Sequence, residues 1–277
     1  MKSGISISLS LRQFVRRVLT PGQRAALKRF RERFGHRFGG MGNSLFAQDL
    51  AALAVLYGSD KWGGHRYAKH YEKHLGHLRN EPIKVLEIGI GGYADPKAGG
   101  ASLRMWKAYF PRGDIFGIDL HDKRPHDEPR IRTFQGDQTD EGFLRRVIAE
   151  IGRPQIIIDD GSHINAHVIK TFEVLFPLLS DDGIYAVEDT QTAYWPAQGG
   201  SCDLTSASTS MAFLKRLVDG LNWQEYINPG YVPSYYDQHI VAMHFYHNLV
   251  FVYKGLNNEG SVAIQNNTFP AGKAPAA

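Results

Sequence analysis

The chain has 277 residues and a formal net charge of +4; 43% of its residues are hydrophobic and 22% charged, which supports one sizeable α/β core with attachments. A single cysteine, Cys202, excludes an internal disulfide and any cysteine-cluster metal site, in keeping with a reducing, cytoplasmic setting. No apolar run approaches the roughly 20 residues of a membrane span, and Arg12, Arg16 and Arg17 break the N-terminal apolar stretch, unlike a secretory signal.

Residues 1–40 form a basic arm, with ten Lys/Arg against one acid, Glu32. The rest of the chain is therefore net acidic, and the high overall basicity is no argument for a nucleic-acid partner. Leu11, Phe14, Val15, Val18 and Leu19 fall on one helical stripe, and Leu27, Phe30 and Phe34 carry a second after the Thr20-Pro21-Gly22-Gln23 start signal. The arm reads as a helical extension packing on the body or on another subunit of a homo-oligomer. Its second reading is an amphipathic segment on an anionic membrane surface, which makes the protein peripheral at the inner membrane face. Gly39-Gly40-Met41-Gly42 offers a hinge. Residues 41–80 read as a helical cap, with one helix over 45–57 closed by Gly58 and a His/Tyr-rich helix from Tyr67 to Leu78.

From residue 81 to 255 strands alternate with helices. Strands are expected at 83–88, 115–119, 131–134, 155–159 and 184–188, with helices starting near Ser102, Asp140 and Asn165. The strand centres are almost continuously apolar, as in parallel strands covered on both faces. Residues 239–246 and 249–254 then form a hairpin around His247-Asn248. The expected fold is α/β: a doubly wound, Rossmann-like, mostly parallel seven-stranded sheet with an antiparallel edge hairpin, behind the N-terminal helical extension. Residues 256–277, rich in Asn, Gly, Ala and Pro, read as a flexible tail.

The first strand runs out in Glu87-Ile88-Gly89-Ile90-Gly91-Gly92. Gly89 and Gly91 let backbone approach a ligand closely. The run satisfies a dinucleotide pattern, so an NAD-dependent oxidoreductase is one alternative. Two details oppose it. Residues 95–101 separate the glycines from the Ser102 helix start, so no helix N-terminus is placed to cradle a pyrophosphate, and Glu87 would repel one. A carboxylate there suits a ligand with ammonium and sulfonium centres, S-adenosylmethionine. Asp119, ending the second strand, can accept hydrogen bonds from a ribose diol. Gly136-Asp137-Gln138 follows the third strand where an adenine edge would be read.

The fourth strand ends Asp159-Asp160-Gly161-Ser162-His163 and the fifth Val187-Glu188-Asp189. If these strands are adjacent and parallel, Asp160, Glu188 and Asp189 meet at one carboxyl edge, and ionised carboxylates so gathered repel unless a cation lies between them. All-oxygen ligands favour Mg2+, Mn2+ or Ca2+ over zinc. His163 then stands as general base for a hydroxyl acidified by the ion.

With these motifs in view, the chain resembles the class I S-adenosylmethionine- and Mg-dependent sugar O-methyltransferases of the mycinamicin 2''-O-methyltransferase type, and the actinobacterial enzymes that methylate mannosides, polysaccharides or glycolipids. Gly58-Ser59-Asp60-Lys61-Trp62, Ser102-Leu103-Arg104-Met105-Trp106, Asp159-Asp160-Gly161-Ser162-His163 and Glu188-Asp189-Thr190-Gln191-Thr192-Ala193-Tyr194-Trp195 carry the resemblance. It implies Mg2+ (or Mn2+) on Asp160, Glu188 and Asp189, His163 as base, S-adenosylmethionine about Glu87, Gly89, Gly91, Ser102, Asp119, Asp137, Gln138 and Asp159, and a sugar or oligosaccharide acceptor. Tyr67, Tyr194 and Trp195 are expected to wall the sugar. A catechol or other phenolic acceptor is the second methyltransferase reading.

Overall fold

The computed structural model describes residues 49–270. The basic arm, the hinge at 39–42 and residues 271–277 lie outside them. The chain divides into two compact units, one made of residues up to 82 with 99–113, the other of 83–98 with the remainder.

Among the described residues, three α-helices build the first unit: α1 (Leu50–Tyr57), α2 (Ala68–Leu75) and α3 (Ala101–Tyr109). The Asp49 carboxylate accepts from the Ala51 and Ala52 amides and so starts α1, and Gly58, left-handed at φ 76°, ends it. Residues 45–48 of the helix expected over 45–57 lie outside the described residues. Helix α3 begins at Ala101 with left-handed Gly100 as its cap, so Ser102 sits inside the first turn and is not the capping residue expected of it. Aromatic packing fills the unit: Tyr71 meets Trp106 edge-on with centroids 5.0 Å apart, and Arg79 lies over the Tyr109 ring at 5.1 Å.

The second unit is a seven-stranded sheet in the order β3-β2-β1-β4-β5-β7-β6. Its strands are β1 (Lys84–Ile88), β2 (Asp114–Asp119), β3 (Ile131–Gln135), β4 (Ile156–Asp159), β5 (Ile184–Glu188), β6 (Ile240–Tyr246) and β7 (Leu249–Lys254). β1 to β5 are parallel; β7 runs antiparallel to β5 and pairs with the edge strand β6. Four helices accompany the sheet: α4 (Glu141–Ile151), α5 (Asn165–Leu175), α6 (Ser210–Gly220) and α7 (Tyr235–His239). Strand alternation explains the core: Leu86 and Ile88, Tyr185 and Val187, and Val250 and Val252 share a cluster with Leu144, Val147, Phe172, Leu175, Phe213 and Leu214. Strand order reverses between β1 and β4, and open α/β sheets bind ligands in the crevice beyond such a point.

The stretch 256–270 corrects the flexible-tail expectation. Asn257 donates to the carbonyls of Leu221 and Asp237 at 3.2 and 2.9 Å, Asn267 donates to those of Trp223 and Tyr226, and Ile264 is buried. Asn-rich composition here supplies side-chain donors to backbone carbonyls, a use that composition alone does not reveal.

Candidate active site

The site grows from the loops after β1, β2, β4 and β5. Gly89 continues β1 at φ 89°, and its amide donates to Ile118 O at 2.8 Å. A Cβ built on Gly89 would lie 2.0 Å from Asp160 O and 2.9 Å from Gly161 Cα, so only glycine lets the β1 and β4 loops touch. Gly91 also has positive φ. Glu87 is fully buried in β1, one residue before the strand ends.

Asp119 ties the β1 and β2 loops together. Its Oδ2 accepts from Ile90 N at 3.0 Å and its Oδ1 from His121 N at 2.9 Å. A carboxylate offers about four lone-pair sites, so two backbone bonds leave capacity for a ribose diol. Sequence reading missed Lys123, a buried cation four residues on. Its Nζ donates to the carbonyls of Tyr93, Asp95 and Ala98 at 2.8, 2.8 and 3.2 Å, which fixes the loop that follows the glycines. A lysine in a polar stretch looks like solvated surface; nothing in its sequence context signals three carbonyl partners. Lys123→Met is expected to cost about 2–4 kcal/mol in urea unfolding, since it strips a charged donor from three acceptors, and limited trypsinolysis should then cut faster after exposed Lys97. Unchanged stability and cleavage would show that the clamp is idle.

Beyond β4 and β5, Asp160, His163 and Asp189 offer ligand atoms that all lie within 4.8 Å of one another. His163 Nε2 is 3.6 Å from Asp189 Oδ2 and 3.9 Å from Asp160 Oδ1. All three side chains are partly exposed, between 17 and 28%. His163 and Asp189 both adopt left-handed backbone, at φ 56° and 52°. That conformation is uncommon outside glycine, although His and Asp are enriched in it. The trio differs from the sequence expectation in one member. Glu188, buried at 3% exposure as the last residue of β5, is not among the three.

Asp159 is buried at 2% exposure. It accepts from Gln138 Nε2 at 3.3 Å and Gly161 N at 3.4 Å. Burial, with the Asp160 charge adding to it, pushes its carboxyl up to about 7. The Tyr185 hydroxyl is close enough to perturb it without closing a hydrogen bond of ordinary geometry, and burial holds that phenol well above its usual range. Gln138 is committed internally. Its Nε2 also donates to Thr171 Oγ1 at 2.9 Å, and its Oε1 accepts from Ser162 N at 2.8 Å. Asp159 and Gln138 therefore brace the β4 loop from beneath. Asp137 is exposed and is held by the Thr139 amide and hydroxyl at 2.7 and 2.8 Å, which depress its carboxyl; Asp140, not Asp137, caps α4. Among the expected sugar-wall residues, Tyr194 and Trp195 are 40 and 50% exposed on the turn after Asp189. Tyr67 is buried at 3% in the first unit and stacks on His65 at 4.6 Å, so it is a packing residue.

No family model matches the chain. The mycinamicin VI 2''-O-methyltransferase of Micromonospora griseorubida is 49% identical over 217 residues, which cover 77% of this chain and 54% of that protein. The 8-demethyl-8-alpha-L-rhamnosyl tetracenomycin-C 2'-O-methyltransferase of Streptomyces olivaceus is 50% identical over 210 residues, 76% of this chain and 55% of that one. A solved structure of a methyltransferase from the mycinamycin biosynthetic pathway, in complex with Mg and SAH, superposes with a TM-score of 0.75 at 49% identity, over 77% of this chain and 56% of that one. Over the matched residues, the chain is similar to the sugar O-methyltransferases of the mycinamicin type. It spans about half the length of the curated relatives it matches. The seven-stranded sheet is the Rossmann-like α/β sheet expected from the sequence. In the solved relative the complex holds Mg and SAH. The residues here fit both groups: two carboxylates and an imidazole gather at one strand edge, and Asp119 at the end of β2, with two backbone amides on its carboxylate, keeps lone pairs for a ribose diol.

Proposed function

We propose that the chain transfers a methyl group from S-adenosylmethionine to a hydroxyl of a sugar, carried on a glycosylated natural product, a polysaccharide or a glycolipid. The observation that carries this reading is the Asp160–His163–Asp189 trio beside the glycine turn, in a chain half identical to sugar O-methyltransferases.

In this proposal the β1 loop receives S-adenosylmethionine against Gly89 and Gly91, at the strand end holding Glu87, and Asp119 takes the ribose diol with its remaining lone pairs. Tyr194 and Trp195 present ring faces to the sugar C–H surface. Asp160 and Asp189, joined by Glu188 at the same strand end, would hold Mg2+ or Mn2+. Bound there, such an ion acidifies and orients an acceptor hydroxyl. His163 Nε2, 3.6 and 3.9 Å from the two carboxylates, takes the hydroxyl proton. The acceptor oxygen bonds to the methyl carbon as the methyl–sulfur bond breaks, which leaves S-adenosylhomocysteine; alignment supplies much of the rate. The basic arm, residues 1–40, lends itself in this proposal to a second subunit or to the anionic inner face of the cytoplasmic membrane.

A labelled-methyl assay tests the reading. The panel holds glycosylated macrolides and aromatic polyketides, mannosides, glycolipids and a catechol. Methyl transfer is expected on a sugar hydroxyl alone, silenced by EDTA and restored by magnesium. Transfer to the catechol in preference to every sugar, or activity indifferent to EDTA, would refute it.

A further inference from the structure

Two loops must be held in register for Asp160, His163 and Asp189 to meet, and one side chain spans them. Asn165, the first residue of α5, lies two residues after His163 and is 1% exposed. Its Nδ2 donates to Thr192 O at 3.1 Å and Gln198 O at 2.9 Å. Its Oδ1 accepts from Ser210 N at 2.7 Å and Ser210 Oγ at 2.9 Å. The amide's orientation follows from its partners: two carbonyls can only accept, and a backbone amide can only donate. Both donors and both lone pairs of the oxygen are therefore used in a buried place, where no other residue type of this size offers that combination.

The partners explain the arrangement. Thr192 returns its own amide and hydroxyl to Asp189 O, at 3.1 and 3.0 Å. Its carbonyl accepts from Trp195 N as well as from Asn165. Thr192 and Gln198 bracket Tyr194 and Trp195, so the asparagine grips the turn that carries both the acid and the aromatic wall. A chain of short bonds thus runs from the His163 loop through Asn165 and Thr192 to Asp189, whose left-handed backbone depends on that turn.

We propose that Asn165 is a positioning residue that sets the separation of Asp189 from Asp160 and His163, and so the cation affinity of the trio. The inference rests on the reading of the trio as a cation site. Groups that orient metal ligands from behind typically change affinity by about 10–100-fold when removed.

The probe is Mn2+ itself, titrated by electron paramagnetic resonance against the full chain without acceptor. Asn165→Ala is expected to weaken Mn2+ binding by about 10–100-fold. Thr209→Ala is the stability control. Thr209 Oγ1 caps α6 by accepting from Ala212 N and makes no bond to Asn165, so this variant should lower Tm while Mn2+ affinity holds. Where Asn165→Ala does not fold, Thr192→Val decides, since it removes only the hydroxyl bond to Asp189 O and should still weaken binding several-fold. Wild-type Mn2+ affinity in whichever of these two variants folds would overturn the proposal, as would an equal loss in Thr209→Ala, which would mark general loosening. A wild-type chain that binds no Mn2+ would instead bring down the cation reading of the site, and this inference with it.

Discussion

Substitution of His163 is expected to lower kcat by about 10²–10⁴-fold, the range typical of a removed general base, while affinities for S-adenosylmethionine and Mn2+ change little. Asparagine is the better replacement here, and alanine the second. His163 sits at φ 56°, where asparagine is comfortable and alanine is strained, so His163→Asn removes the base without disturbing the loop that also carries Asp160. Single-turnover methyl transfer with equilibrium binding of each ligand separates the outcomes. Most of the turnover retained in His163→Asn would dismiss the histidine as base. Loss of Mn2+ affinity in step with turnover would instead make it a ligand, an arrangement its 3.6 and 3.9 Å distances to the two acids also allow.

Gly89→Ala should damage both halves of the site at once. The new Cβ would lie 2.0 Å from Asp160 O and 2.7 Å from the carbon of that carbonyl. Both are backbone atoms of the trio's own loop and cannot swing aside. Overpacking and a left-handed backbone together predict a loss of about 2–6 kcal/mol, with Mn2+ binding and methyl transfer lost because Asp160 must move. Gly199→Ala calibrates the experiment. Gly199 has a similar φ of 73° but nothing within 4 Å of its Cβ position, so only the backbone cost of about 1–2 kcal/mol remains. Urea unfolding of both variants reads the difference; equal losses would mean that the loops do not meet as described.

Sequence made the sheet legible because its parallel strands are apolar runs bounded by glycine and acid signals, and their boundaries agree to within one or two residues. Asp160, His163 and Asp189 were legible for a related reason: each lies just past a strand, and strand ends in this topology share an edge. The bracing residues were not legible. Gln138, Lys123 and Asn165 are polar side chains in polar segments, and what distinguishes them is burial and saturation of their hydrogen bonds by atoms 21 to 45 positions away. Tyr67 is buried against His65, and an aromatic near an expected cleft reads the same in sequence whether it lines the cleft or fills a core. Helices α6 and α7 were missed, although Phe213, Leu214 and Leu217 give α6 an apolar stripe; a Thr209 cap and a Ser234–Asp237 capping box start them.

The clamp on the glycine loop bears on how a ligand is received. Asp119 holds Ile90 N, and Lys123 holds three carbonyls between residues 93 and 98. The freedom of that backbone is surrendered when the protein folds, long before any small molecule arrives. A guest therefore meets a surface already shaped, and the entropic penalty of arranging it does not subtract from affinity.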